Sequence, residues 1–334
     1  MQTNSGFLAK IKDRNESYLF LVVVVLSLFI GFFNPEFLTL SNFVDMLGSY
    51  SFTGILAVGL LVVLISGGID ISFTATVTVA QYIMASAVIE YGGNLFSALL
   101  LSCIVGISLG LINALLIDKF KVPAIIITVA TLNAFHGLLI FITGGKWIYN
   151  FPMWFGNIKV FSFSLGESTY SITNPIIALL IITVFTWFVL NKTTTGRKIY
   201  AMGGNTEAAG RAGFSIFRLH LFVYGYMGFV SGIAAVTQGQ MMLTIAPNSI
   251  VGRELEVLAA VVLGGASLFG GSGTVFGTVL GVALMAIVQN GLILMGVPSY
   301  WHDIFIGLII IISVSVTAYQ RTYQKEKEKR SAGI

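Results

Sequence analysis

The chain has 334 residues, of which 56% are hydrophobic and only 10% charged. Its mean hydropathy of +0.91 excludes an ordinary water-soluble domain, in which about a quarter of residues carry charge. The formal net charge of +4 is confined to a few segments, which argues against a nucleic-acid partner, and with Cys103 as the single cysteine neither an internal disulfide nor a thiolate metal site can form.

Lys10, Lys12 and Arg14 precede an apolar run from Tyr18 to Phe33 that has the outline of a secretory signal. Asn34-Pro35-Glu36 stands where small residues would mark cleavage, so the run is expected to stay as a first span. A helix needs ~20 apolar residues to cross a ~30 Å hydrocarbon layer, and it must satisfy its own backbone there. The apolar runs place spans at 18–33, 48–66, 73–89, 95–117, 123–143, 174–190, 219–237, 255–268, 274–295 and 303–319. The expected fold is therefore all-α, a polytopic transmembrane helical bundle of about ten spans forming one domain over 1–334. The run 255–268 is short before Phe269-Gly270-Gly271, which leaves open a re-entrant or broken helix in place of a full span.

With ten spans and a cytoplasmic start, the inner segments hold fifteen basic residues and the outer ones three, Lys146, Lys159 and Arg253. This positive-inside bias puts both termini, 1–17 and 320–334, and the loop 191–218 in the cytoplasm. The outer loop 144–173 carries Trp147, Tyr149, Phe151, Trp154 and Phe155, which fit either a docking surface or an interfacial aromatic belt. Ser102, Gly106, Gly110 and Ala114 recur every four residues, as do Gly273, Gly277 and Gly281. Such stripes let helices approach closely, and packing within one subunit is the role expected of them.

The sequence contains no phosphate-binding Gly-x-x-x-x-Gly-Lys-Ser/Thr loop, no His-Glu-x-x-His and no Gly-x-Ser-x-Gly elbow. The chain is not expected to hydrolyse ATP itself or to act as an enzyme. Asp70, in Gly67-Gly68-Ile69-Asp70-Ile71-Ser72, reads either as a helix cap or as a proton- or ion-carrying carboxylate. Gln81, Asn133, His136, Gln289 and Asn290 are polar groups within spans, open to interhelical hydrogen bonding or to contact with a hydroxylated solute. In the inner loop, Asn205, Thr206, Glu207, Ala208, Ala209, Gly210, Arg211, Ala212 and Gly213 supply an N-cap, an acidic first turn and a terminating glycine, which predicts a short helix. Its pattern leaves open a plain surface helix or one that fits a cleft on a cytoplasmic partner.

The ordered set Gly67 to Ser72, Val122-Pro123 to Thr131-Leu132, Thr143-Gly144-Gly145, Gly196-Arg197 through Tyr200-Ala201 to Gly203-Gly204-Asn205, and Ala259 to Leu268 with Gly270-Gly271-Ser272-Gly273 resembles the ribose and simple-sugar branch of binding-protein-dependent ABC transporter permeases. The resemblance covers nearly the whole chain. It implies an importer of a monosaccharide or related small polyhydroxylated solute in a bacterial inner membrane. The implied partners are a cytoplasmic ABC ATPase that holds ATP and magnesium, an extracytoplasmic solute-binding protein and a second permease copy or paralogue, with no cofactor in this chain itself. The 205–213 helix would then be the element coupling it to the ATPase. The chain departs from the family pattern at Phe73-Thr74, at Val129-Ala130-Thr131 and at His136, where arginine is common, which bears on the solute more than on the architecture. Gly145-Lys146-Trp147-Ile148 and Pro298-Ser299-Tyr300-Trp301 look closest to members importing the furanosyl autoinducer-2 or deoxy sugars. The competing reading is an ion-gradient-driven secondary transporter with Asp70 as its obligatory charge.

Overall fold

In lipid an apolar segment closes its backbone hydrogen bonds only as a helix or a closed barrel, and the chain takes the helical solution. The computed structural model describes residues 15–156, 158–165, 168–298 and isolated positions between 300 and 315. In order these form α1 (Asn15–Phe33), α2 (Leu40–Ile65), α3 (Phe73–Tyr91), α4 (Leu95–Phe120), α5 (Ala124–Thr143), a hairpin of β1 (Lys159–Leu165) and β2 (Ser168–Thr173), α6 (Asn174–Lys192), α7 (Thr194–Gly204), α8 (Thr206–Arg211), α9 (Ile216–Met242), α10 (Glu254–Leu263) and α11 (Val275–Leu294). Among the described residues eight helices, α1 to α6, α9 and α11, are long and apolar enough to cross a membrane. The protein is an all-α polytopic bundle. The expected tenth span, 303–319, falls largely outside the described residues, and 1–14 and 320–334 wholly so.

The β-hairpin marks one end of the bundle, where Asn34 Nδ2 also donates to the Leu294 carbonyl at 3.0 Å. At the opposite end, the foot, α7 and α8 lie beside Gly67, just past the end of α2, and the connector 264–274. The central element is α2, buried without interruption from Ser51 to Ile65 and packed by α6, α9, α10 and α11. Around it α1, α4, α5 and α6 turn Phe20, Leu28, Leu100, Ile126, Phe141, Leu180 and Val184 outward, the inverse of a water-soluble surface and suited to lipid tails.

The four-residue stripes are packing seams within the chain. A Cβ on Gly106 would stand 2.2 Å from the Gly228 carbonyl of α9, and one on Gly110 2.2 Å from that of Tyr224. The α4 and α9 backbones therefore touch. The second stripe meets α10 in the same way, with Gly277 against Gly264 and Gly281 against the Ala260 carbonyl.

Three segments differ from the sequence expectation. The run 255–268, placed as a span and open to being a broken helix, is the ten-residue helix α10, about 15 Å long at 1.5 Å per residue and so half a ~30 Å layer, which matches the broken-helix alternative rather than a full span. It stops where Gly264 is pressed against α11 and Gly265 turns at φ +88°. The loop 144–173 contains the hairpin, in which Phe163 stacks on Tyr170 with ring centroids 5.4 Å apart. Its aromatic residues divide: Phe155 is fully buried, with Phe151 and Trp154 around it, on Met84, Val88, Ala98 and Val236, whereas Trp147 and Tyr149 stay exposed. The loop 191–218 holds two helices, α7 in addition to the predicted α8.

Candidate functional site

The foot is built from local capping signals. Thr193 Oγ1 accepts the Gly196 N–H at 3.1 Å and starts α7; Asn205 Oδ1 accepts the Ala208 N–H at 2.9 Å and starts α8. Ile199, Met202 and Ala209 face inward and are buried. Glu207 and Arg211 pair across one turn of the free face, each about three-quarters exposed. Beside α8 a cleft of about 440 Å³ opens between Gly67, Gly68, Asp118, Lys121, Thr206 and His220.

Glycines clasp this foot to the bundle. A Cβ on Gly203 would fall 1.8 Å from the Ile65 carbonyl at the end of α2 and 2.7 Å from the Gly271 nitrogen. Gly271 N–H donates to that same Ile65 carbonyl at 2.9 Å. Gly270, at φ +89°, approaches the Gly67 Cα, so three backbones cross with no side chain between them. Tyr200 adds a hydroxyl donated to the Gly273 carbonyl at 2.7 Å. Burial, and then the Glu16 carboxylate, push its phenol upward, which keeps it a neutral donor.

Asp70 is fully enclosed in the 66–72 connector. Its Oδ1 accepts the Ser72 N–H at 2.8 Å and the Ser72 hydroxyl at 2.7 Å, and that hydroxyl accepts Asn113 Nδ2 of α4 at 2.7 Å. Thr128 of α5 donates to the Ile69 carbonyl at 3.1 Å. The carboxylate thus holds the start of α3 and ties it to α4. The other five polar candidates are dispersed. Gln81 is buried and donates to the Ala235 carbonyl at 3.3 Å, while Asn133 and His136 lie on α5, with Asn133 exposed and bonded to its own helix. On α11, Gln289 accepts from the Tyr50 hydroxyl, and Asn290 exchanges two 2.9 Å bonds with Asn42. α5 packs on α3 and α4, and α11 on α1, α2 and α10, so Asn133 and His136 lie in a different part of the bundle from Gln289 and Asn290.

Sequence reading missed a group at the start of α10. Arg253 Nε donates to Glu256 Oε2 at 3.1 Å, its Nη2 reaches Glu256 Oε1 at 3.3 Å and Thr53 Oγ1 at 3.4 Å, and its guanidinium lies 5.3 Å from the Phe52 ring centre. Both oxygens of Glu254 accept the Gly252 N–H, at 2.9 and 3.0 Å, and Glu254 also takes a hydrogen bond from Thr74. Thr53 stands about 18 Å from the Ile65 end of α2 at 1.5 Å per residue, so Arg253, expected in an outer loop, lies near half depth. On a lipid-facing surface there each charge would cost about 2.5–3.5 kcal/mol on insertion scales, which assigns this face to protein or water. The available signal was Arg-Glu-Leu-Glu at the mouth of an apolar run too short to span. Among the described residues no three His, Cys, Asp or Glu side chains gather to hold a metal ion.

Apolar helices wrapped around a buried α2, a half-length helix with charges at mid-depth, and a foot clasped onto the central helix ends define a multi-pass membrane protein. The family described as branched-chain amino acid transport system / permease component matches residues 42–314, and the chain belongs to it. The chain is 35% identical to the ribose import permease protein RbsC of Bacillus subtilis over 89% of each chain. It is 31% identical to that of Haemophilus influenzae over 92% of this chain and 94% of the relative. To the autoinducer 2 import system permease protein LsrC of Yersinia pestis it is 29% identical, over 90% of this chain and 84% of the relative. No solved structure matches the chain significantly.

Proposed function

We propose that the chain is the membrane-spanning permease subunit of an ATP-driven importer that carries a monosaccharide or related small polyhydroxylated solute into a bacterial cell. The observation that carries this reading is the 35% identity, over 89% of both chains, to a ribose import permease. The autoinducer 2 permeases among the relatives widen the substrate class to furanosyl compounds without changing its chemistry.

In this reading the foot end faces the cytoplasm, the hairpin end faces outward, and both termini are cytoplasmic in the inner membrane. A cytoplasmic ATPase binding ATP and magnesium receives residues 205–213. Exposed Glu207 and Arg211 offer it contact, and the Gly203–Ile65–Gly271 clasp carries its movement to the ends of α2 and to the α10–α11 connector. A solute-binding protein delivers cargo at the hairpin end, where Trp147 and Tyr149 stand exposed, and a second permease copy or paralogue completes the path. Of the six polar candidates, Gln289 is joined through Tyr50 to the α2 turn beside the charged group, whereas Asp70 braces the Ser72 turn that leads into α3.

Reconstituting the chain in vesicles with its ATPase and binding protein tests the reading. Uptake is expected only with ATP inside the compartment that holds the ATPase. Uptake driven by a proton or sodium gradient without the ATPase would overturn it.

A further inference from the structure

Two exposed surfaces at the same depth of the bundle have opposite chemistry. Halfway along α6, Leu180, Ile181, Val184, Phe185 and Phe188 are exposed and uniformly apolar. At the start of α10 the exposed or half-exposed residues are mostly polar or charged: Asn248, Ser249, Gly252, Arg253, Glu254 and Glu256, with Val251 and Leu255 the apolar exceptions. The chain reaches this point from the hairpin end: Ile245 bridges Ile148 there, and Ala246, Pro247 and Ile250 are buried on the way down. It then turns at Gly252, φ +106°, into a helix that begins midway and continues to the foot. Broken helices in membranes are tolerated where their unsatisfied ends face protein or a water-filled cavity.

Resting on the importer reading, we propose that the surface 248–256 is the wall of the solute path at mid-depth, facing a second permease copy across water. There Arg253 and the carboxylates of Glu254 and Glu256 exchange hydrogen bonds with the hydroxyl groups of a neutral polyol. The geometry suits such a cargo. Arg253 is held by Glu256 and braced on Phe52, and Glu254 is fixed by the Gly252 N–H and Thr74. Donors and acceptors therefore stand side by side on a rigid surface, and the one cation, Arg253, held beside the two carboxylates, leaves both signs of charge there rather than a single-sign ion filter.

The test uses the full transporter in vesicles, with Cys103→Ala as background and single cysteines introduced by Ser249→Cys, Leu255→Cys and Val184→Cys. The probe is a charged, membrane-impermeant methanethiosulfonate. Because reaction requires the hydrated thiolate, labelling at 249 and 255 is expected to be roughly tenfold or more faster than at 184. Rates at 249 and 255 as slow as at 184 would overturn the path assignment. In a second arm Arg253→Gln is expected to lower ribose uptake severalfold while labelling at 249 in the same chain stays unchanged, the check that the bundle has folded. Undiminished uptake would remove the solute contact. Failure of the importer reading would appear instead as absent ATP-driven uptake by the parent protein, and the labelling arm needs neither ATP nor a known cargo.

Discussion

Gly203→Ala is a sharp test of the foot clasp. The added methyl would sit 1.8 Å from the Ile65 carbonyl oxygen, about 1.6 Å inside the shortest ordinary contact. The obstacle is backbone on both sides, since the Gly271 nitrogen is 2.7 Å away, so no rotamer change relieves it. α7 must retreat, and the Gly271 to Ile65 hydrogen bond opens or lengthens. Overpacking costs about 1–3 kcal/mol, and a lost backbone hydrogen bond adds roughly 1 kcal/mol. At roughly 1.5 °C per kcal/mol for a chain of 334 residues, thermal unfolding of the detergent-solubilised protein should fall by on the order of 5 °C. Gly204→Ala is the control, because its methyl meets nothing within 4 Å and helix propensity favours alanine by about 0.5–1 kcal/mol. In the reconstituted importer Gly203→Ala should also weaken the link between ATP hydrolysis and uptake. Equal melting temperatures for the two variants would refute the clasp.

Other consequences follow from the same geometry. Replacing Glu207 and Arg211 together with alanine removes an exposed pair worth about 0.3–0.5 kcal/mol; melting should be unchanged while solute-stimulated ATPase activity is lost, and intact coupling would make α8 a plain surface helix. Asp70→Asn keeps an acceptor for the Ser72 N–H and should preserve both stability and ATP-driven uptake, whereas Asp70→Ala should cost about 1–3 kcal/mol by leaving buried donors unpartnered. Loss of uptake by a stable Asp70→Asn protein would instead assign the carboxylate to charge movement. Gly106→Val should destabilise the bundle by about 1–3 kcal/mol or more by forcing α4 from α9, and Gly137→Val, which meets nothing within 4 Å, should leave melting unchanged.

The relation between sequence and structure is clearest element by element. α8 was legible because its signals are local: Asn205 as cap, Glu207 in the first turn and Gly213, at φ +85°, just beyond the end. α7 was not, since Gly203-Gly204 reads as a turn unless one sees that Gly203 must be bare for Ile65 to approach. The hairpin was hidden among aromatic residues, although Ser162 faces Ser171 and Ser164 faces Thr169 in a regular two-residue alternation. The charged start of α10 was visible as letters, but its depth was not.

Composition and apolar run length alone determined that the chain is a helical membrane protein, because a bilayer leaves a lone apolar segment few other ways to satisfy its backbone. The small-residue stripes likewise announced close helix contacts, and the cap residues announced the foot helix. Only the tertiary structure decided which stripe met which partner, where the short α10 begins and ends, and that Arg253, Glu254 and Glu256 stand beside Thr53 and Thr74, some 180 to 200 residues earlier in the chain. Those outcomes depend on contacts between distant segments, and a linear pattern of hydropathy carries the period of each helix but not its neighbours or its depth.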